Sequence, residues 1–145
     1  MHKISVKKFE QLSLDELYEI MALRMQVFCV EQDCPYQDLD GLDQQSIHVY
    51  FKDKQQIVAY ARIIEKEKST CSIGRVVVHP EFRKQGLAKR IMNKCIDYVK
   101  QQGKQEIIIS AQSYLQNFYY QLGFRTTGKY YLEDDIPHEE MILNL

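Results

Sequence analysis

Charge of one sign is missing from this sequence. Its 145 residues hold 19 Lys and Arg against 20 Asp and Glu, a formal net charge of −1 at pH 7. A nucleic-acid binder would show a basic excess, so no nucleic-acid partner is expected. No apolar run is long enough to cross a bilayer. The opening segment, Met1-His2-Lys3-Ile4-Ser5-Val6-Lys7-Lys8, lacks the apolar stretch of a secretory signal. The expectation is a cytoplasmic protein without a membrane partner. Cysteine is scarce as well: Cys29, Cys34, Cys71 and Cys95 are all there are. The Cys29-x4-Cys34 spacing has no second pair to complete a zinc site, so reduced thiols and no metal are expected. Linkers, repeats and low-complexity tracts are absent too, and 145 residues suit one domain spanning 1–145 with its own core.

Familiar nucleotide motifs are also wanting. There is no Gly-x-Gly-x-x-Gly, which counts against a dinucleotide-binding fold. Gly123-x4-Gly128-Lys129 approaches a P-loop, but Tyr130 stands where Ser or Thr must hold magnesium, and a strand pattern follows instead of a helix.

What is present is periodicity that changes along the chain. Residues 3–9 alternate weakly, as an edge strand would. Ser13-Leu14-Asp15-Glu16 reads as a capping box. Leu14, Leu17, Met21, Met25 and Phe28 continue it at helical spacing, so the pattern predicts a helix over 14–28. An acidic stretch over 31–43, with Pro35 and Gly41, breaks the pattern. Strands are predicted over 47–51 and 57–64, joined as a hairpin, and over 72–79, where Pro80 ends the ladder. Ala88, Ile91, Cys95 and Val99 form the stripe of a helix over 84–102 that Gly103 stops. A strand over 106–110, a helix over 113–122 capped by Gly123, and strands over 124–132 and 138–143 about a 134–137 turn complete the reading. The order implies an α/β or α+β sheet covered by helices.

The segment richest in chemistry is Gly74-Arg75-Val76-Val77-Val78-His79-Pro80-Glu81-Phe82-Arg83-Lys84-Gln85-Gly86-Leu87-Ala88-Lys89. A strand enters a helix through a turn that holds Gly86 and three cations, Arg83, Lys84 and Lys89. Cations oppose the dipole at a helix N-terminus, so three of them there point to an anion such as a phosphate. Gly86 would let the backbone close on it. An ordinary basic turn remains the alternative at this level.

Arg83-x-x-Gly86-x-Ala88 after a Val-rich strand resembles the Q/R-x-x-G-x-G/A motif of the GNAT acetyltransferase superfamily. Asn117-Phe118-Tyr119-Tyr120-Gln121-Leu122-Gly123-Phe124 resembles that family's Leu-Tyr-x-x-x-Gly-Phe signature, in the right order downstream. Leu23-Arg24-x-x-Val27-Phe28 is similar to its first helix. Closer still, Val27-Phe28-Cys29-Val30-Glu31-Gln32-Asp33-Cys34-Pro35-Tyr36, Asp38-Leu39-Asp40-Gly41, Ala111-Gln112-x3-Gln116-Asn117 and Glu133-Asp134-Asp135-Ile136-Pro137-His138 are similar to the ElaA-like branch.

The resemblance implies a single mixed, mostly antiparallel sheet flanked by helices and splayed where acetyl-CoA, the co-substrate, binds. It implies an N-acetyltransferase acting on a small-molecule or peptide amine, with a non-catalytic acyl-CoA-binding regulatory module as the alternative. Val76, Val77 and Val78 would offer backbone groups to the pantetheine arm and the acetyl oxygen. Arg83, Lys84, Gln85, Gly86, Leu87, Ala88 and Lys89 would take the pyrophosphate. Tyr119 would protonate the departing thiolate, a suitable role for a phenol with a reference pKa of about 10 against about 8.5 for a thiol. A tyrosine that only packs is the plainer reading. Gln112 stands where many relatives place Asn, one methylene shorter, and Asn117 is a second amide that would touch the cofactor. An ammonium acceptor must lose a proton to a base or to water; Glu31, Asp40, His48 and His138 are the candidate bases, with a packed, hydrogen-bonded role the alternative for His48 on its strand. Asp33, Asp38, Asp40 and Asp43 would either attract a cationic amine or form a plain solvated loop. Family members often dimerise, so a homodimer is among the expectations.

Overall fold

The computed structural model describes residues 3–145, so Met1 and His2 of the opening segment lie outside the described residues. Seven strands form one sheet, β1 (Ile4–Lys8), β2 (Ile47–Asp53), β3 (Gln56–Glu67), β4 (Thr70–Val78), β5 (Glu106–Gln112), β6 (Arg125–Glu133) and β7 (Ile136–Asn144). Their order across the sheet is β1-β2-β3-β4-β5-β7-β6. Only β4 and β5 run parallel; the other neighbours are antiparallel. The expected mixed, mostly antiparallel sheet is therefore the observed one. Parallel strands need a crossover, and α2 (Leu87–Gln101) supplies it.

Alternation along the strands divides the core in two. On one face α2 buries Leu87, Ile91, Met92, Cys95 and Val99 against Val49, Ala59, Ala61, Ile107 and Ile109. On the other, Ile20, Leu23 and Val27 pack on Tyr50, Ile57, Tyr60 and Val77. At about 25 cal/mol per Å² of apolar surface removed from water, this double-sided burial is the main force holding the layers together.

The first helix departs from its sequence reading. α1 (Leu14–Arg24) opens on the expected capping box: Glu16 N donates to Ser13 Oγ at 3.0 Å, and Ser13 N donates to Glu16 Oε1 at 2.9 Å. It ends as an α-helix at Arg24, and Met25–Glu31 widens into a π-helical turn. Hydrophobic spacing does not register that change of winding. α2 starts at Leu87 and not at position 84, because Lys84 and Gly86 have positive φ (63° and 77°) and form the turn before it. The predicted 113–122 helix is a 3-10 turn (Ser113–Leu115) followed by the short α3 (Gln116–Gln121). The last hairpin turns on Asp134 and Asp135 alone, at φ 52° and 62°; Pro137 belongs to β7, where Leu132 is its partner. The β5 ladder ends at the Gln112–His138 pair, so no amide is missed from that side of Pro137. No helix of the described residues is long and apolar enough to cross a membrane.

Candidate active site

The site arises where the two parallel strands part. β4 and β5 pair only through Thr70–Glu106, Cys71–Ile107 and Ser72–Ile108. Beyond Ser72, β4 follows β3 alone and β5 follows β7. A bulge sits at the fork. Gly74 faces Arg62 and Val77 faces Tyr60, so Arg75 and Val76 together oppose Ala61. Arg75 takes φ 52° there, a left-handed conformation that a non-glycine residue adopts only at a cost. Past the bulge, His79 N donates to Val58 O at 2.8 Å. Amides alternate along a strand, so the Val78 amide, next to His79 and beyond the bulge, turns the other way, into the gap. Arg83 Nε, donating to Val78 O at 3.2 Å from the gap side, agrees with this orientation.

A cavity of about 870 Å³ fills the fork. Val76, Val77 and Val78 line it from β4, Ser110, Gln112, Phe118 and Tyr119 from β5 and α3, Val27, Glu31, Cys34 and Tyr36 from the segment after α1, and Glu133, Ile136 and His138 from the last hairpin. A smaller hollow of about 150 Å³ lies at the entrance to α2, lined by Lys84, Gly86, Leu87, Ala88 and Lys89. Val78, Arg83, Ala88 and Phe118 border both spaces. The α2 entrance has the properties of an anion cradle. Its first turn carries no acidic residue and its N-cap, Gly86, offers no side-chain cap, so the first amides keep their hydrogen-bonding capacity. A Cβ placed on Gly86 would meet nothing within 4 Å; the space above it is open. These residues could hold an anion such as a phosphate. Gln85 is exposed and borders neither space.

Tyr119 is 8 % exposed. Phe118 and Phe124 hold its ring edge-on at 5.0 and 6.0 Å. Burial pushes its phenol up to about 12. Tyr120 points away and is exposed, under the Arg125 guanidinium at 3.9 Å. Gln112 lies at the end of β5 and lines the cavity, whereas Asn117 is exposed and outside it.

The residues considered as bases separate clearly. Glu31 is gripped by Arg83, whose Nη1 and Nη2 both donate to its carboxylate at 2.6 Å; that contact lowers the Glu31 pKa. Asp40 is bound by Arg62, with Nη1 2.9 Å from Oδ1 and Nη2 on Oδ2, and its carboxyl is held well below the usual range by that guanidinium. His48 is fully buried between Tyr60 Oη (2.6 Å) and Asp43 O (2.9 Å), outside the cavity, and burial lowers its pKa against the opposing pull of the Asp43 carbonyl. His138 does line the cavity. Its Nδ1 is 2.7 Å from Ile136 O, its Nε2 is 3.3 Å from Glu133 Oε2, and its ring stacks on Tyr131.

The acidic loop is not a free attractor for cations. Arg24 binds Asp38 Oδ2 (2.9 Å) and Asp43 Oδ1 (2.7 Å), Arg62 binds Asp40 and Asp43, and Arg75 reaches Asp38 and Asp40. The sequence reading missed these three arginines as a group. A signal was available: Arg24 and Arg62 stand in the apolar stretches of predicted core elements, where a buried charge needs a partner. Among the described residues, no group of three or more His, Cys, Asp or Glu could hold a metal ion.

A sheet forked between two parallel strands, with a glycine-led helix at the mouth of the fork, is the architecture of the GNAT class, and the chain belongs to that family: the Acetyltransferase (GNAT) domain matches residues 10–145. Its relatives narrow the branch. The chain is similar to a UPF0039 protein of Schizosaccharomyces pombe, at 40 % identity over 96 % of this chain and 95 % of that one. It is also similar to the protein ElaA of Escherichia coli, at 37 % identity over 88 % and 87 % of the two chains. The ElaA crystal structure superposes with a TM-score of 0.91 over 99 % of both chains. An acyl-CoA N-acyltransferase from Pseudomonas aeruginosa, 36 % identical, superposes at 0.93, again over 99 % of each chain.

Proposed function

We propose that this chain is an N-acetyltransferase that moves the acetyl group of acetyl-CoA to a primary amine of a small molecule or peptide by direct attack on the thioester. One observation carries the reading: the open edge of β4 at Val76–Val78 lines one cavity with Tyr119, and that cavity shares Val78, Arg83, Ala88 and Phe118 with the hollow at Gly86. The diphosphate would rest on the α2 entrance with Arg83, Lys84 and Lys89 beside it. The thioester would then lie along Val76 and Val78. The amine nitrogen attacks the carbonyl carbon, and the oxygen that gains charge is met by a β4 amide in a half-dry site. The C–S bond breaks, and the thiolate takes the Tyr119 proton, since a buried phenol held protonated is available to donate.

The ammonium form of the acceptor, with a reference pKa of about 10.4, must first give up a proton. Glu31, Asp40 and His48 are engaged elsewhere, which leaves His138. With Nδ1–H donating to Ile136 O, the Nε2 lone pair takes the proton; the Glu133 carboxylate, 3.3 Å away and 56 % exposed, pairs with the imidazolium, which then releases the proton to solvent.

The test pairs binding with turnover. Acetyl-CoA at about a hundred times its Kd should stabilise the chain by about 2.7 kcal/mol. A panel of polyamines, amino-sugar amines and lysine peptides should contain an acceptor that releases free thiol. Stabilisation without thiol release from any amine would favour the alternative, a non-catalytic acyl-CoA-binding module; no stabilisation would remove both.

A further inference from the structure

The bulge that opens β4 is tied to the loop on the far wall of the cavity. Arg75 lies in the bulge, at φ 52°. Its Nη2 donates to Asp38 O at 3.0 Å and reaches Asp40 Oδ2 at 3.4 Å. Its Nε stands 2.9 Å from Asp38 Oδ1, an ion pair off line for a hydrogen bond. The guanidinium also lies 6.0 Å from the centre of the Tyr36 ring, and Tyr36 Oη donates to Asp38 Oδ1 at 3.0 Å. Tyr36 and Gln37 line the cavity, as do Gly74, Arg75 and Val76. One side chain therefore spans from the strained backbone of the fork to the wall opposite.

The same loop is anchored a second time, from other elements. Arg24 at the end of α1 holds Asp38 and Asp43, and Arg62 on β3 holds Asp40 and Asp43. Those anchors keep the 38–43 stretch attached to the sheet without Arg75. What Arg75 alone adds is a link to β4 at the bulge between Gly74 and Val77, where two residues oppose one. A left-handed arginine costs on the order of 1 kcal/mol and persists where surrounding contacts fix it. Asp38 and Asp40 are the contacts that fix it here.

We propose that Arg75 is a positioning residue: clamped to Asp38 and Asp40, it holds the Arg75–Val76 bulge open and the Tyr36 loop down on the cavity, so that the acyl-binding strand edge and the opposite wall are set together. This rests on the acetyl-CoA reading for its effect on binding, but not for its effect on the loop. Without the clamp nothing ties the Arg75–Val76 bulge to the Tyr36 loop, and the edge of β4 loses its fixed spacing from that loop.

The experiment compares Arg75→Gly, Arg75→Ala and Arg75→Lys with the wild type. Glycine keeps the left-handed backbone available and removes the clamp; alanine removes both; lysine keeps a charge but cannot bridge three oxygens. Melting curves check that each is folded. Amide hydrogen exchange over 36–41 is read without ligand, and affinity is measured for acetyl-CoA and for a coenzyme A fragment ending at the diphosphate. The clamp predicts faster exchange of the loop in both the glycine and alanine variants, with lysine between them and the wild type. It predicts an acetyl-CoA affinity about tenfold weaker in both, with the diphosphate fragment bound as in the wild type, because only preorganisation of the fork is lost. Unchanged loop exchange overturns the proposal, as does wild-type acetyl-CoA affinity in Arg75→Gly, which would assign the site to backbone conformation alone. Equal loss for acetyl-CoA and the fragment also overturns it, since general loosening would do that. If the wild type binds neither ligand, the acetyl-CoA reading fails by itself, and loop exchange still decides whether the clamp exists.

Discussion

Arg83 and Glu31, far apart in sequence, close on each other through two hydrogen bonds of 2.6 Å across the mouth of the cavity. The sequence offers Arg83 to a phosphate and Glu31 to a proton; the fold gives them to each other. Both are well exposed, at 40 % and 38 % of their side chains, so solvent screens the pair and it contributes at most about 1 kcal/mol.

That pairing leads to the first prediction. Glu31→Gln removes the charge that competes for Arg83, and acetyl-CoA affinity should tighten by up to about fivefold, the equivalent of such an exposed pair. Isothermal titration against Arg83→Ala, expected to weaken binding, checks the sign. A looser complex in Glu31→Gln would mean that Arg83 needs its carboxylate to be aimed correctly.

Tyr119→Phe should lower turnover by roughly 100-fold or more, as loss of a general acid does, while acetyl-CoA affinity stays within about twofold because the ring still packs on Phe118 and Phe124. The phenol is pushed up to about 12 by burial, so it keeps its proton through the working range. A fall in turnover between about pH 8 and 10 cannot then be its titration, and a basic limb in that range that disappears in Tyr119→Phe would contradict the upward push of burial on the phenol.

Gly86→Asp should weaken acetyl-CoA binding by more than about tenfold, because it places a fixed carboxylate in the cradle meant for the diphosphate. Gly86→Ala is the control. It adds the strain of a side chain at φ 77°, about 1 kcal/mol of stability, but no charge, and its Cβ enters open space. Equal affinity losses in the two would show strain, and not charge, to be the cause.

Acid should unfold the chain through its bound carboxylates. Contact with Arg62 lowers the Asp40 pKa. Burial alone would raise Asp43 and Glu16, but Arg24 outweighs it at Asp43, and the Ser13 amide, Tyr50 and two lysines outweigh it at Glu16. Folded values below the unfolded ones, about 3.9 for Asp and 4.3 for Glu, mean that the unfolded chain binds more protons in the window between. The stability they contribute is complete above about pH 5 and is lost as pH falls through 4 toward the folded values. Melting temperature measured from about pH 2 to 6 should drop steeply at the acid end, with a shallower slope in Asp40→Asn. A flat profile would show that these pairs do not titrate with unfolding.

Much of the fold was legible because local rules produced it. The α2 stripe, the Ser13–Glu16 box, the Val-rich strand before Pro80 and the late hairpin each follow from spacing and turn chemistry within a few residues. The Gly86 cradle was legible for the same reason, since strand, turn and helix are contiguous. The π-helical turn at Met25–Glu31 was not, because apolar spacing reads the same through it. Asn117 shows the limit on the site: its sequence neighbour Tyr119 reaches the cavity, yet two positions on a helix turn the side chain well around the axis, and Asn117 ends outside.

The sequence by itself determined the family, the order of elements, the glycine turn that opens α2 and the placement of Tyr119 after a strand end, because each is written in a short contiguous pattern. Only the tertiary structure decided which charges are available. Glu31, Asp40 and His48 were all candidate bases on the chain, His48 with a packed role as its alternative, and each found its partner among residues 20 or more positions away or in the backbone of a packed loop. Coulomb and hydrogen-bond partners are chosen by proximity in space, and that proximity exists only once the sheet has brought Arg24, Arg62, Arg75 and Arg83 around the acidic loop.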